Sequence, residues 1–195
     1  PILTTEFMMS TRDLVLTALF AAIIVALGLL PPIPLGFIPV PITAQSLGVM
    51  MAGVVLGARR GAIAVLIVLL LVAIGLPVLS GGRGGLAIFA SPTAGFLIGW
   101  IFAAFVTGYL SERLINDRQS GLVQTVSFFL TAMVGGIVVL YAFGITYLAT
   151  VAGLGFPKAF VGSMAFVPGD VIKAFVAALL GRAVMVGYPL LPARA

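Results

Sequence analysis

Phe166-Val167-Pro168-Gly169-Asp170-Val171-Ile172-Lys173 sets a carboxylate and an ammonium three residues apart, just ahead of the apolar run Ala174 to Leu180. Residues three apart share a helix face, so Asp170 and Lys173 point the same way if a helix begins here. Pro168 suits the first turn, where its missing N–H costs nothing. Two readings of the stretch stand side by side. An ionisable pair inside a membrane segment is expensive and by default marks a functional site. Alternatively, Asp170 complements the helix dipole while Lys173 snorkels to the lipid headgroups.

Composition decides that a membrane is involved. Of 195 residues, 62% are hydrophobic and only 8% charged, against about a quarter charged in soluble domains. A mean hydropathy of +1.31 agrees. The chain reads as an all-α, polytopic membrane protein. Its net charge of +5 does not point to nucleic acid, because the ten basic residues are scattered singly between apolar runs. Cysteine and histidine are both absent, which removes disulfides, thiolate metal sites and the commonest metal ligand and general base.

Six hydrophobic stretches predict a six-transmembrane-helix bundle in a single transmembrane domain, with spans at about 14–30, 43–56, 62–74, 94–110, 122–142 and 168–187. The first lacks a small-residue cleavage site after a short core and reads as a retained helix, not a signal peptide. Its Ala18, Ala22 and Ala26 recur every fourth position, a spacing that lets another helix approach closely. An ordinary alanine-rich helix shows the same pattern. Pro31 to Pro41 holds five prolines and reads as a stiff apolar loop. The second span carries Gln45 near its start and is short for a crossing. Gly57 to Gly61 reads as a basic turn, and the span after it as lipid-facing.

Gly75 to Thr93 (GLPVLSGGRGGLAIFASPT) is too rich in glycine for regular structure. Irregular backbone near a membrane is tolerated where protein buries it or a cavity solvates it. The stretch is expected to form a folded lid that carries Arg83. Glu112 to Gly121 is the most polar segment and reads as aqueous. An ill-defined stretch with Tyr141, Thr146 and Tyr147 is expected after the fifth span, and a short interfacial helix over residues 158–167. The charge count favours both termini in the cytoplasm: Arg12, Arg59, Arg60, Arg113, Arg118, Arg182 and Arg194 fall on one side, Arg83 and Lys158 on the other. The Pro-rich loop with Gln45, the Gly-rich loop with Arg83, and Asp170/Lys173 then share the outer end, as structured extracellular loops around a ligand site.

The chemistry suits binding and not an enzyme. No Walker A pattern occurs, Asp170 is the only acid within a span, and no histidine or cysteine accompanies a nucleophile. A cation at Lys173, helped by Arg83, could hold a carboxylate; Asp170 could accept N–H groups; Gln45 can do either. Phe37, Phe89, Trp100 and Tyr141 could line an apolar slot. The ligand profile is a small, partly apolar molecule with an acid end and an N–H-bearing end.

The run PLGFIPVPITAQSLGVMMAGVVLGARRG, the segment GLPVLSGGRGG followed by SPTAGFLIGW, and FVPGDVIK together resemble the BioY family, the biotin-specific substrate-binding subunits of energy-coupling-factor (ECF) transporters. The resemblance covers nearly the whole chain in order. It implies biotin as transported ligand with no cofactor or metal, a transmembrane coupling (T) subunit and cytoplasmic ABC ATPases as partners, and the bacterial inner membrane as location. It matches Asp170 and Lys173 to the PGDxxK positions as first ligand contacts, with Gln45, Ser80, Arg83 and Tyr141 behind them, and the Ala18/Ala22/Ala26 face to T-subunit docking. A subunit for another vitamin, or a self-sufficient secondary transporter, would be compatible with the residues taken alone.

Overall fold

A computed structural model describes residues 9–191; the leader before Met9 and the expected tail charge Arg194 lie outside them. Among the described residues the regular structure is helical, joined by loops that carry two isolated β-bridges, Ile33 with Ile42 and Leu79 with Arg83. The helices are α1 (Thr11–Leu27), α2 (Gln45–Leu56), α3 (Ala58–Ala73), α4 (Ala94–Leu114), α5 (Gly121–Thr150), α6 (Phe156–Met164) and α7 (Val167–Gly187). By length and apolarity alone, α4 and α5 can each cross a membrane, and α6 with α7 would make a third, bent by 52°.

The short α2 sits in the centre. Nearly every one of its residues is buried, from Gln45 to Leu56, and it packs against α1, α3, α4 and α7. A helix apolar on all sides is stable only when surrounded. The outside is apolar as well: Leu14, Val15, Leu66, Leu70, Phe102, Phe105, Leu130, Val138, Ile172 and Phe175 are exposed. So much apolar surface would drive a soluble protein to aggregate, and it matches a hydrocarbon environment. Close approach is made by small residues. A Cβ on Gly53 would lie 2.8 Å from the Ala104 carbonyl oxygen, and one on Gly61 equally near that of Ala52. Packing of this kind is what holds helices together where lipid competes for apolar contact.

Two expectations need correction. The basic turn shrinks to one residue: Gly57, at φ 83°, separates α2 from α3, and Arg59 and Arg60 already belong to α3. Glu112 makes this possible by accepting the Ala58 N–H at 2.9 Å, one of the donors that a helix start leaves open. The segment from Glu112 is helical through Leu114. The ill-defined stretch around Tyr141 to Tyr147 is helix too, because α5 continues to Thr150 through a π-helical turn at Val134–Val139. There Gly135 lies against Thr107 and Ala103, and Gly136 against Met50, closer than any Cβ permits. Inserted residues of this kind shift the phase of everything that follows on the helix.

The two ends of the bundle differ. At one, Arg60 pairs with Asp13 at 2.8 Å and donates to the carbonyls of Leu56 and Leu190. The Ser10 hydroxyl and Arg60 hold the Asp13 carboxyl below its ordinary pKa. Arg182 lies against Gly121 at this same end. At the other end lie the Pro-rich loop 28–44, closed by the Ile33–Ile42 bridge, and the Gly-rich loop 74–93 with its short 3-10 turn Leu86–Ala90.

The close approach of α4 to the α2–α3 turn gives a direct test. A Cβ on Gly108 would fall 2.2 Å from the Gly57 carbonyl carbon and 2.3 Å from the Ala58 nitrogen, and overpacking costs about 1–3 kcal/mol. Gly108→Ala should lower the thermal unfolding midpoint in detergent. Gly187→Ala, with nothing within 4 Å, should leave it nearly unchanged. Equal midpoints for the two variants would contradict this packing.

Candidate functional site

Asp170 lies in the first turn of α7, where the helix dipole favours a carboxylate. It is 4% exposed, so its charge must be satisfied from within. Lys173, one turn on, donates to Asp170 Oδ1 at 2.8 Å and to Ser46 Oγ at 2.9 Å. Tyr141 Oη donates to Asp170 Oδ2 at 2.7 Å, and Ser46 Oγ lies 3.5 Å from Oδ1. The quartet joins α2, α5 and α7. Lys173 is therefore turned inward, with its side chain only 15% exposed, and the snorkelling alternative does not hold.

A cavity opens beside this quartet. Its walls are Val40, Pro41, Ile42 and Thr43 of the Pro-rich loop, Leu79, Arg83 and Thr93 of the Gly-rich loop, Phe166 at the α6–α7 junction, and Gln45, Ser46, Phe96, Leu97, Trp100, Leu140, Tyr141, Asp170 and Lys173 from the helices. Phe96, Tyr141 and Phe166 meet pairwise edge to face, with centroids 5.9–6.3 Å apart. Such contacts hold aromatic walls in defined orientations. The free space is about 60 Å³, well below the roughly 300–1,000 Å³ of sites for drug-sized ligands. The groove between α4 and α5 (Ile98, Phe143, Tyr147, Thr150) is roomier but carries no charged side chain.

Asp170, Lys173, Tyr141, Gln45 and Arg83 thus come together at one cavity. Gln45, however, spends its whole amide on the protein. Its Nε2 donates to the Ile24 and Val78 carbonyls, and its Oε1 accepts from the Ser80 N–H and hydroxyl. Ser80, expected as a ligand contact, is fully buried beside Gln45 and is not among the residues that line the cavity. Arg83 reaches the cavity, with Nε donating to the Ser80 carbonyl at 3.2 Å; partial burial pulls its guanidinium below the ordinary pKa. Of the expected aromatic lining, Trp100 and Tyr141 are present. Phe37 is exposed, and the Phe89 carbonyl accepts from Tyr147 instead. Ser46, Thr43, Thr93, Phe96 and Phe166 were not foreseen. The polar cluster Thr43-Ala44-Gln45-Ser46 in an otherwise apolar stretch was the available signal for two of them.

A lipid-compatible helical bundle with an ionic cavity at one end, walled by two ordered loops, has the form of a membrane-embedded small-molecule binding protein. The sequence model of the BioY family matches residues 4–189, and the chain belongs to that family. It is 94% identical over 187 residues to the "Biotin transporter BioY" of Rhizobium etli, covering 96% of this chain and 100% of that protein. The "Biotin transporter BioY" of Rhodobacter capsulatus is 53% identical, over 89% of this chain and 93% of its own. The crystal structure of the S-component for biotin from an ECF-type ABC transporter superposes with a TM-score of 0.84 at 35% identity, covering 92% of this chain and 95% of that one.

A half-broken buried ion pair is worse than none. Asp170→Ala should destabilise the protein by about 3 kcal/mol, measured by chemical unfolding in mild detergent. Adding Lys173→Met should recover most of that loss. Additive losses in the double variant would mean that the two charges do not depend on one another.

Proposed function

We propose that this protein captures biotin at the outer face of a bacterial inner membrane, as the substrate-binding subunit of an ECF-type ABC transporter. The observation that carries the reading is the Ser46–Tyr141–Asp170–Lys173 quartet, set in an aromatic wall, in a chain of a family whose relatives are named biotin transporters. Biotin has a carboxylate, a ureido ring with two N–H groups and an apolar thioether ring. Asp170 accepts from the ureido N–H groups, Lys173 donates to a biotin oxygen, and Arg83 adds positive charge from the loop. Phe96, Trp100, Tyr141 and Phe166 enclose the apolar ring. Biotin is cargo, and no cofactor takes part.

The bundle is one transmembrane domain whose six crossing segments are α1 to α5 and α7, with α6 at the interface. Both termini are cytoplasmic. This orientation is supported by Arg60 and Arg182 at the end opposite the cavity and Arg83 beside it. Ala18, Ala22 and Ala26, all exposed on α1, dock the T subunit, and the partner ATPases drive release of biotin into the cell.

Titration of the purified protein with biotin tests the first half. Wild type should bind saturably, and Asp170→Asn and Lys173→Ala should each weaken binding at least tenfold, about 1.4 kcal/mol. Normal binding by both folded variants would remove the site assignment. Vesicles containing this chain alone should bind biotin without accumulating it; accumulation without ATPase partners would make it a self-sufficient secondary transporter.

A further inference from the structure

The Gly-rich loop meets the cavity through a tight turn. Leu79 and Arg83 exchange backbone hydrogen bonds across it, at 3.0 and 3.2 Å, and both line the cavity. Gly81 and Gly82 at its tip have φ of 81° and 68°, a conformation open chiefly to glycine. Among the described residues, the hydrogen bonds that hold Val78 and Ser80 to other elements run to Gln45: Nε2 to the Val78 carbonyl at 3.0 Å, and Oε1 from the Ser80 N–H at 2.9 Å and hydroxyl at 3.3 Å. The second Nε2 hydrogen anchors the amide to the Ile24 carbonyl on α1 at 3.2 Å. An amide has two donors and two acceptor sites, so all four are used. Gly28 leaves room for the junction, since a Cβ there would sit 2.5 Å from the Val78 oxygen and 2.7 Å from Gln45 Nε2.

We infer that Gln45 is a positioning residue, a latch that fixes the Leu79–Arg83 turn as one wall of the cavity and so sets how readily ligand enters and leaves. Its neutral hydrogen bonds can break and re-form without stranding a charge, unlike the Asp170–Lys173 pair. The free space beside it is about 60 Å³, and the turn is a wall hinged on glycines whose hydrogen bonds to other elements run through one side chain. Releasing it makes room without disturbing the ionic quartet on α2, α5 and α7.

The experiment compares Gln45→Met, which keeps the volume and removes every hydrogen bond, with Ser80→Ala, which removes only the hydroxyl arm. Hydrogen exchange of ligand-free protein should quicken at least tenfold over residues 78–83 in Gln45→Met. Ser80→Ala should show a smaller change in the same direction. Exchange in α4 should stay as in wild type. Unchanged exchange over 78–83 in both variants overturns the latch. The kinetic arm rests on the biotin reading: Gln45→Met should raise both association and dissociation rates at least threefold, whereas faster dissociation alone would make Gln45 a direct ligand contact. If wild type binds no biotin, that reading falls, and the exchange arm still decides the latch.

Discussion

A buried carboxylate and ammonium can coexist in an apolar bundle only if each finds partners there, and Asp170 and Lys173 meet this condition through other helices. Desolvating two ions costs several kcal/mol each, and their attraction offsets that only with good geometry and additional hydrogen bonds. Ser46 from α2 and Tyr141 from α5 supply those bonds. The cavity-side ends of three helices are thereby tied to one another. The same arrangement keeps polar atoms concentrated beside a space that would otherwise be hydrocarbon. The cavity wall and the ionic knot are one structure.

Around that knot the packing follows from what lipid cannot supply. With apolar surroundings outside as well as inside, burial alone gives little reason for helices to associate. Glycine and alanine let α4 lie directly against α2 and against the α2–α3 turn, so that dispersion contacts take over. Buried hydroxyls add to this at the opposite end, where Ser111 bridges α4 to Thr131 of α5 at 2.9 Å. The central α2 can be only twelve residues long because protein surrounds it on nearly every side.

The π turn at Val134–Val139 connects these two themes. Gly135 and Gly136 bring α5 onto Thr107 and Met50, and the altered phase carries into the turn that bears Tyr141, whose hydroxyl meets Asp170. The loops complete the site in different ways. The Pro-rich loop is stiff, cross-linked by one bridge, and buries Ile38 against Gly162 of α6. The Gly-rich loop is held by the Gly85 N–H on the Val72 carbonyl, by Tyr147 on the Phe89 carbonyl and by the Gln45 amide on Val78 and Ser80.

The sequence by itself determined the class of fold, the concentration of basic residues towards one end, and the Asp170/Lys173 pair, because composition, run length and i,i+3 spacing are local properties that survive without tertiary context. It could not reveal that Lys173 turns inward, since snorkelling and pairing share one spacing and differ only in what lies opposite. Ser46 and Tyr141, which decide this, are 124 and 29 residues from Asp170 along the chain. Nor could it show that Tyr141 to Tyr147 stays helical, or that the Gln45 amide bonds to Ile24, Val78 and Ser80. A glycine reads as a breaker until a neighbour packs onto it, as Phe96 does onto Gly144. An amide reads as available until its four hydrogen bonds are traced to Ile24, Val78 and Ser80. Those contacts span distant parts of the chain, and only the folded structure brings them together.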